Sequence, residues 1–596
     1  MTDQRFKIMA AVLVLGVTWA LPALADDTLS DGDVIMRAMV DEMNRSMELQ
    51  MEDLEKPYFL QYTVEDTVTY RLAASYGAIT TSDRDRSRDF YGRVRVGSYE
   101  LDNTNFSGGG GGFFGRRGRG GGGGGGGRAS LPIQDDYEAI RQAIWSATDD
   151  DYKGAVETLT QKRAYMEDKK LTDRPDDFSK VPAAEASEPG AVLAFDKAAW
   201  EENLEKISGH FRKYAQVQDS KVQLYAGAGN AYVANSEGTR VRTADTITLL
   251  IVSAEVQADD GMKISDSRSY VGDSTADLPP LSKIIDDADA LVAELTTAMK
   301  APILEQYTGP VLFDGRAAGQ LFREMLAKGV AGRVDPVGTQ RRMFEGAESL
   351  EKMIGQRILP KSIRVYDDPT TKKVGEKLLF GHYRYDDEGV PARKVDIVVD
   401  GKLQDMVMCR VPTKKLSGSN GHGRSAPGGG TPEAAIGCLF IEDEDAIPDA
   451  QLKEALIEAA GEAGLEYGLR VASIKAMGIE TSQAEMISFF MRRQQGGRQS
   501  GLGDPIFVYK VYVDDGREEL VRGSEFGAIK ARDLKDIIAA GDTPTVYNYI
   551  GLGFTGATPR STIVAPPVLF EELELSKIEQ EHDKLPLLKA PLVRAE

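Results

Sequence analysis

Residues 393–410 read RKVDIVVDGKLQDMVMCR, two runs that alternate apolar and polar residues on either side of Asp400-Gly401. Alternation with period two places one face of a strand on a core, and Asp-Gly supplies the positive φ of a two-residue hairpin turn. The stretch predicts an antiparallel hairpin, the strongest local constraint on what the chain can fold into. The rest of the second half agrees: DPIFVYKVYVDD and STIVAPPVLFEELEL read as strands, a helix is predicted over 449–464, and no repeat of fixed period appears.

The first half alternates between the two periodicities. Ile35, Met36, Met39, Val40, Met43, Met47, Met51 and Leu54 recur at helical spacing, a methionine stripe read as core rather than as a binding face, and Pro57 ends the helix. YFLQYTVEDTVTYRLAASYGAIT and RDFYGRVRVGSYELDN predict an antiparallel sheet beside it. Two helices are predicted over 135–150 and 152–170, a proline-containing loop over 171–192, a helix over 198–214, strands over 222–261 and a helix over 281–299. The fold class is α+β: an N-terminal helix-plus-sheet domain over 26–305 and a mostly β domain over 306–596. The segment 107–128, SGGGGGFFGRRGRGGGGGGGGR, is a flexible insertion in the first of these rather than an RNA-binding element.

A net charge of -21 excludes a nucleic-acid binder, which needs a basic surface to displace counterions. Residues 1–25 read as a cleaved signal peptide: Arg5 and Lys7, the apolar run IMAAVLVLGVTWAL, then Ala23-Leu24-Ala25 before Asp26-Asp27. That run is shorter than the roughly 20 residues a membrane span needs, so the expectation is a periplasmic or secreted protein that does not cross the membrane. Cys409 and Cys438 either pair as a disulfide or remain buried thiols.

Four histidines, His210, His382, His422 and His582, limit the metal chemistry, and none stands in an H-E-x-x-H pattern. Asp386, Asp387 and Glu388 follow His382 and read as a solvated turn closing at Gly389-Val390-Pro391, because side chains adjacent on an extended chain do not all converge. In KLSGSNGHGRSAPGGGTPE, Asn420 and His422 offer polar groups and Arg424 a carboxylate clamp, so the loop reads equally as substrate-lining or as a connection. A phosphate loop is excluded by spacing. A Cys-His dyad is disfavoured by the apolar surroundings of both thiols.

The run YDDEGVPARKVDIVVDGKLQDMVMCR resembles the D-D-E-G-x-P, strand, x-D/N-G-x-L, strand signature of the TldD/PmbA proteins. ILPKSIRVYDDPT before it, SGSNGHGR after it and VAPPVLFEELEL near the end resemble the same family in the same order, across 305–575. The resemblance implies a two-domain fold, a homodimer or a heterodimer with a TldD/PmbA paralogue, and a metal-dependent peptidase that degrades unstructured peptides inside a chamber. In the TldD branch an H-E-x-x-x-H helix just after a strand, with a cysteine in a C-terminal glycine-rich segment, holds the metal; PmbA members lack that motif.

Here the strand PVLF is followed by Asp314, Gly315, Arg316, Ala317, Ala318 and Gly319, no histidine lies between His210 and His382, and no cysteine follows Cys438. No cofactor is therefore expected, and the chain reads as an exported peptide-binding partner or pseudo-enzyme subunit. Asp314 and Arg316 stand in the frame of the metal site, either paired with each other or with Arg316 gripping a peptide carboxylate. Two alternatives stay open: a metallopeptidase with zinc on His382, Asp387 and His422, and a non-enzymatic envelope assembly factor.

Overall fold

The computed structural model describes residues 33–108, 127–338, 349–426, 429–475, 502–553 and 556–579, with 584–588 and 590–591 of the C-terminal tail. Residues 1–25, read from the sequence as a signal peptide, and most of the glycine-rich insertion lie outside the described residues. The first part of the methionine stripe forms α1 (Val34–Ser46), started by Asp33, whose carboxylate accepts from the amides of Ile35 and Met36 at 3.1 and 3.0 Å; the helix ends well before Pro57, and Met51 and Leu54 lie beyond it, exposed rather than in the core. Two strands of 19 residues each, β1 (Pro57–Ser75) and β2 (Ala78–Val96), make one long hairpin turning at Tyr76-Gly77.

In place of the two helices expected over 135–170 there is one, α2 (Tyr137–Lys169). Asp149, Asp150 and Asp151 read as a break, yet Asp151 accepts from the Val94 amide at 2.8 Å and Thr148 donates to the Tyr62 hydroxyl at 2.8 Å, so the polar stretch anchors the helix to the sheet instead of ending it. The loop that follows holds a three-residue strand, Glu185–Ser187. Next come α3 (Lys197–His210), β3 (Val217–Asn235), β4 (Arg240–Gln257), β5 (Lys263–Gly272) and α4 (Leu281–Lys300).

The first sheet runs in the order β2-β1-β3-β4, with β5 and Glu185–Ser187 sharing the outer edge of β4 and Arg128–Ser130 on that of β2. All four helices cover one face. Met36, Met39 and Met43 of α1 and Ile140 and Ile144 of α2 pack on Leu60, Tyr62 and Phe90, while Leu204 of α3 and Leu291 and Leu295 of α4 pack on Val222, Leu224, Leu250 and Val252. The residues of opposite parity, among them Gln61, Leu249 and Ile251, face the C-terminal half: Phe380 lies against Leu249 and Ile251, and the Gln61 amide donates to the Asp387 carbonyl at 3.0 Å.

The C-terminal half is built on two sheets around β6 (Gln306–Phe313) and the short helix α5 (Gly315–Phe322). Its further elements are β7 (Ile363–Asp367), β8 (Val395–Val399), β9 (Lys402–Leu403), β10 (Cys438–Asp443), α6 (Asp449–Glu462), β11 (Tyr467–Ile474), β12 (Pro505–Tyr512), β13 (Thr545–Gly553), β14 (Gly556–Ala565) and β15 (Val568–Lys577). One sheet runs β9-β8-β7-β10-β14-β13; the other contains β12-β11-β6-β15. Their common core gathers Val311, Phe313, Leu321, Phe322, Val365, Ile397, Leu439, Val471, Ile563 and Phe570.

The expected hairpin is β8-β9, with Asp400 at φ 50° and Gly401 at φ 70°. Its second strand is only two residues long, because residues 404–410 leave the ladder to pack under the 386–390 and 420–424 loops. Cys409 and Cys438 are buried free thiols.

Candidate functional site

Strand β6 delivers the chain to α5 through Asp314 and Gly315, the latter at φ +45° with open space where a Cβ would stand. The frame anticipated for a metal site is therefore present, but its two charged residues do not pair with each other. Asp314 binds Arg470 of β11 at 2.6 Å. Burial raises its carboxyl above the usual range and Arg470 opposes that shift. Arg316 reaches instead to Asp266 on β5 at 2.5 Å, to the Ser267 carbonyl at 3.0 Å and to the Ser473 hydroxyl of β11 at 2.5 Å. Both groups are consumed by internal partners.

The acidic turn differs from its sequence reading. Asp386 and Glu388 are buried, not solvated. The Asp386 carboxylate accepts from the amides of Glu388, Val390 and Gly423 at 3.0, 2.9 and 2.8 Å, closing the turn and tying it to the 420–424 loop. Glu388 accepts from the Arg410 amide at 2.8 Å. Burial, with the neighbouring Glu388 carboxylate, pushes the Asp386 carboxyl well up, and burial pushes Glu388 up as well. Asp387 turns outward, accepting from the Ser425 amide at 2.5 Å, with Arg424 3.7 Å away.

The glycine loop is likewise a packed element. The Asn420 side chain accepts from the Met408 amide at 2.7 Å and donates to the Met406 carbonyl at 2.8 Å. His422 is fully buried, with Nε2 3.1 Å from Asp367 and Nδ1 3.0 Å from the Asn420 carbonyl. His382 turns its Nδ1 to the Pro369 carbonyl at 2.9 Å. His382, Asp387 and His422 thus have separate partners, and among the described residues no group of three His, Cys, Asp or Glu side chains is placed to hold a metal. Arg424 lies over the Tyr383 ring at 4.1 Å with Nε and Nη1 unbonded.

Zinc would need imidazole, thiolate or free carboxylate donors at the β6–α5 junction. Among the described residues the carboxylates at the junction, Asp314 and Asp266, are each bound by a guanidinium, so those residues do not fit the group.

Two residues that sequence reading passed over stand on the seam between the halves. Glu65 lies opposite Asp89 on the helix-free face; burial first, then Asp387 and Asp89, push its carboxyl up to about 7. Arg410 is completely buried: it donates to the Ser179 carbonyl at 2.9 and 2.7 Å, pairs with Glu237 at 2.8 Å, and stacks between Phe59 and Phe178. Neither follows from local sequence, since their partners lie far away along the chain.

Comparison with known proteins agrees with this architecture. Residues 306–485 match the model of the PmbA/TldA metallopeptidase C-terminal domain. A protein named metalloprotease from Archaeoglobus fulgidus is 33% identical over 135 residues, which is 23% of this chain and 28% of the relative. Another of that name, from Methanothermobacter thermautotrophicus, is 28% identical over 201 residues, 33% of this chain and 40% of the relative. The matched stretches thus span less than half of either relative's length. The solved structure of TldE from Thermococcus kodakarensis superposes with a TM-score of 0.54 at 15% identity, covering 90% of this chain and 100% of that one, a likeness of fold. The domain model is matched over the same β6–α5 frame and the Asp-Gly hairpin, so residues 306–485 carry the C-terminal domain of the TldD/PmbA family.

Proposed function

We propose that this chain is an exported, peptide-binding member of the TldD/PmbA family that carries no family-type zinc site of its own and serves as a partner or pseudo-enzyme subunit beside a metal-bearing paralogue. The observation that carries the reading is the β6–α5 junction, where Arg470 holds Asp314 and Asp266 holds Arg316. A metal there would lower the pKa of a bound water and polarise a scissile carbonyl, but among the described residues the junction has no donor free for that work. Binding remains available on the half-buried part of the helix-free sheet face, where Glu65 and Thr67 of β1 lie beside Gly229 and Ala231 of β3 and a Cβ at Gly229 would meet only the Thr67 methyl at 3.4 Å. In this reading an extended peptide lies on that face. Export follows from the basic, apolar and Ala-Leu-Ala pattern of residues 5–25.

The test combines three measurements on protein secreted from its own host: N-terminal sequencing, metal content, and fluorescence anisotropy with an unstructured labelled peptide, followed by affinity capture of partners. The expected result is a start at Asp26, substoichiometric zinc, saturable peptide binding without cleavage, and co-purification of a second family member. Stoichiometric zinc with chelator-sensitive cleavage by this chain alone would sink the proposal.

A further inference from the structure

The helices leave a gap in the face of the first sheet that they cover. Along β1, Leu60, Tyr62 and Val64 lie under α1 and α2, and Leu72 and Ala74 under α3 and α4. Between these two groups Asp66, Val68 and Tyr70 point to the same side, since side chains alternate along a strand, and there they line a hollow of about 300 Å³. Arg84 and Arg86 of β2 form one wall and residues 191–193 the other. The floor is low because Ala228 of β3 stands opposite Val68 in the ladder. The strap over it is fixed at both ends: the Ala191 amide donates to the Asn230 side-chain oxygen at 2.8 Å, and the Phe195 ring packs on that of Tyr70 with centroids 4.6 Å apart. Val192, at the lip of the hollow, is 85% exposed.

The hollow is basic in a chain whose net charge is -21. Arg88, the next arginine on that face of β2, takes up the neighbouring acids, pairing with Asp66 at 2.7 Å and with Asp135 at 2.9 Å. Arg86 keeps only a loose contact to Asp66 at 3.9 Å. Arg84 gives its Nε to the Tyr70 hydroxyl at 3.1 Å and forms no ion pair among the described residues, while Asp83 and Asp85 lie on the other face of the strand. Alternating charge on an edge strand can serve only to discourage pairing, but that purpose needs no hollow beneath it. Here two guanidinium ends, about 7 Å apart along the strand, stand beside an apolar floor of Val68 and Ala228. A guanidinium holds a carboxylate through two parallel hydrogen bonds, and Asp66 at the end of the hollow repels a second negative charge.

We propose that this hollow binds a small monoanionic carboxylate with an apolar body: Arg84 and Arg86 hold the carboxylate, and the body lies on Val68 and Ala228 beneath the strap. The site is on the opposite face of the sheet from the extended peptide and does not depend on that reading. A free aromatic or aliphatic acid and the carboxyl end of a short peptide present this same chemistry.

Isothermal titration calorimetry of the full chain with hydrocinnamate tests it, against hydrocinnamamide, which keeps the body and lacks the charge. The expected result is saturable binding of the acid, about tenfold or more tighter than that of the amide. Arg84→Gln with Arg86→Gln, both at exposed positions, weakens the acid about tenfold or more, and Ala228→Leu, which fills the floor, removes binding. Hydrogen exchange on the parent protein needs no variant to fold, and protection by the acid is expected around residues 84–86 and 191–193. Acetyl-Ala-Phe separates the two sources: binding tighter than that of hydrocinnamate assigns the hollow to peptide ends, and weaker binding assigns it to free acids. No saturable binding of either acid, equal binding of the amide, protection confined to other segments, or an affinity untouched by the double variant overturns the site. Tighter binding of phenyl phosphate overturns its assignment to a monoanionic carboxylate.

Discussion

Arg316 of α5 and Asp266 of β5 meet at 2.5 Å across the seam, at the start of α5. Asp266 is nearly buried, so its charge depends on Arg316 and on Arg268, which lies 2.9 Å away. Removing Arg316 leaves a buried carboxylate with one partner instead of two. Arg316→Ala is expected to cost about 1–3 kcal/mol, read from denaturant midpoints. Asp266→Ala costs a similar amount, and the double variant less than the sum. Additive effects of the two changes would show that the contact does not couple the halves.

Gly401 occupies the second position of the β8-β9 turn at φ 70°, and a Cβ there would stand 2.4 Å from the Leu359 carbonyl and 2.6 Å from that of Pro360. Strain and collision act together, so Gly401→Ala is expected to destabilise by about 2–4 kcal/mol. Asp400→Asn keeps a residue that tolerates positive φ and changes stability by less than about 0.5 kcal/mol. Thermal melts of the two variants check the contrast.

That turn was legible in the sequence because Asp-Gly between alternating runs has one local meaning, and the α1 stripe, α4 and β6 were legible for the same reason. Where the reading missed, the deciding forces were not local. Asp149–Asp151 did not end a helix because the Val94 amide and the Tyr62 hydroxyl, both on the sheet, take up its polar groups. Asp386 and Glu388 read as solvated because three acids in a row normally are; amides from Val390, Gly423 and Arg410 replace their water. Asp314 and Arg316 were adjacent enough to suggest a pair, yet the helix start turns one toward β11 and the other toward β5. The missing imidazoles were visible at once, since residue identity needs no fold.

Arg410 joins the halves through three kinds of contact at once, donating to the Ser179 carbonyl, pairing with Glu237 and stacking on Phe178 at 4.0 Å. Loss of a fully buried cation strands its partners, so Arg410→Ala is expected to cost about 3–5 kcal/mol. Arg410→Lys recovers little of this, because an ammonium supplies neither the planar fork nor the stacking surface. Chemical denaturation of the two variants measures it, and a lysine variant as stable as the parent would show that charge alone matters.

Glu65 adds a pH dependence to the seam. Burial, with Asp387 and Asp89 adding to it, lifts its carboxyl to about 7, above its value in an unfolded chain. The folded state therefore retains a proton that the unfolded state gives up, and the unfolded state binds fewer protons between roughly pH 4.5 and 7. Across that window this group's contribution to stability falls as pH rises, and above it the folded protein carries a buried charge it does not neutralise. Glu65→Gln removes the charge at similar size. The variant is expected to be more stable than the parent at pH 8, by at most about 3 kcal/mol, and to match it near pH 4. Melting temperatures of both proteins across the range give the answer: a difference that stayed constant with pH would mean that Glu65 does not hold its proton in the folded state.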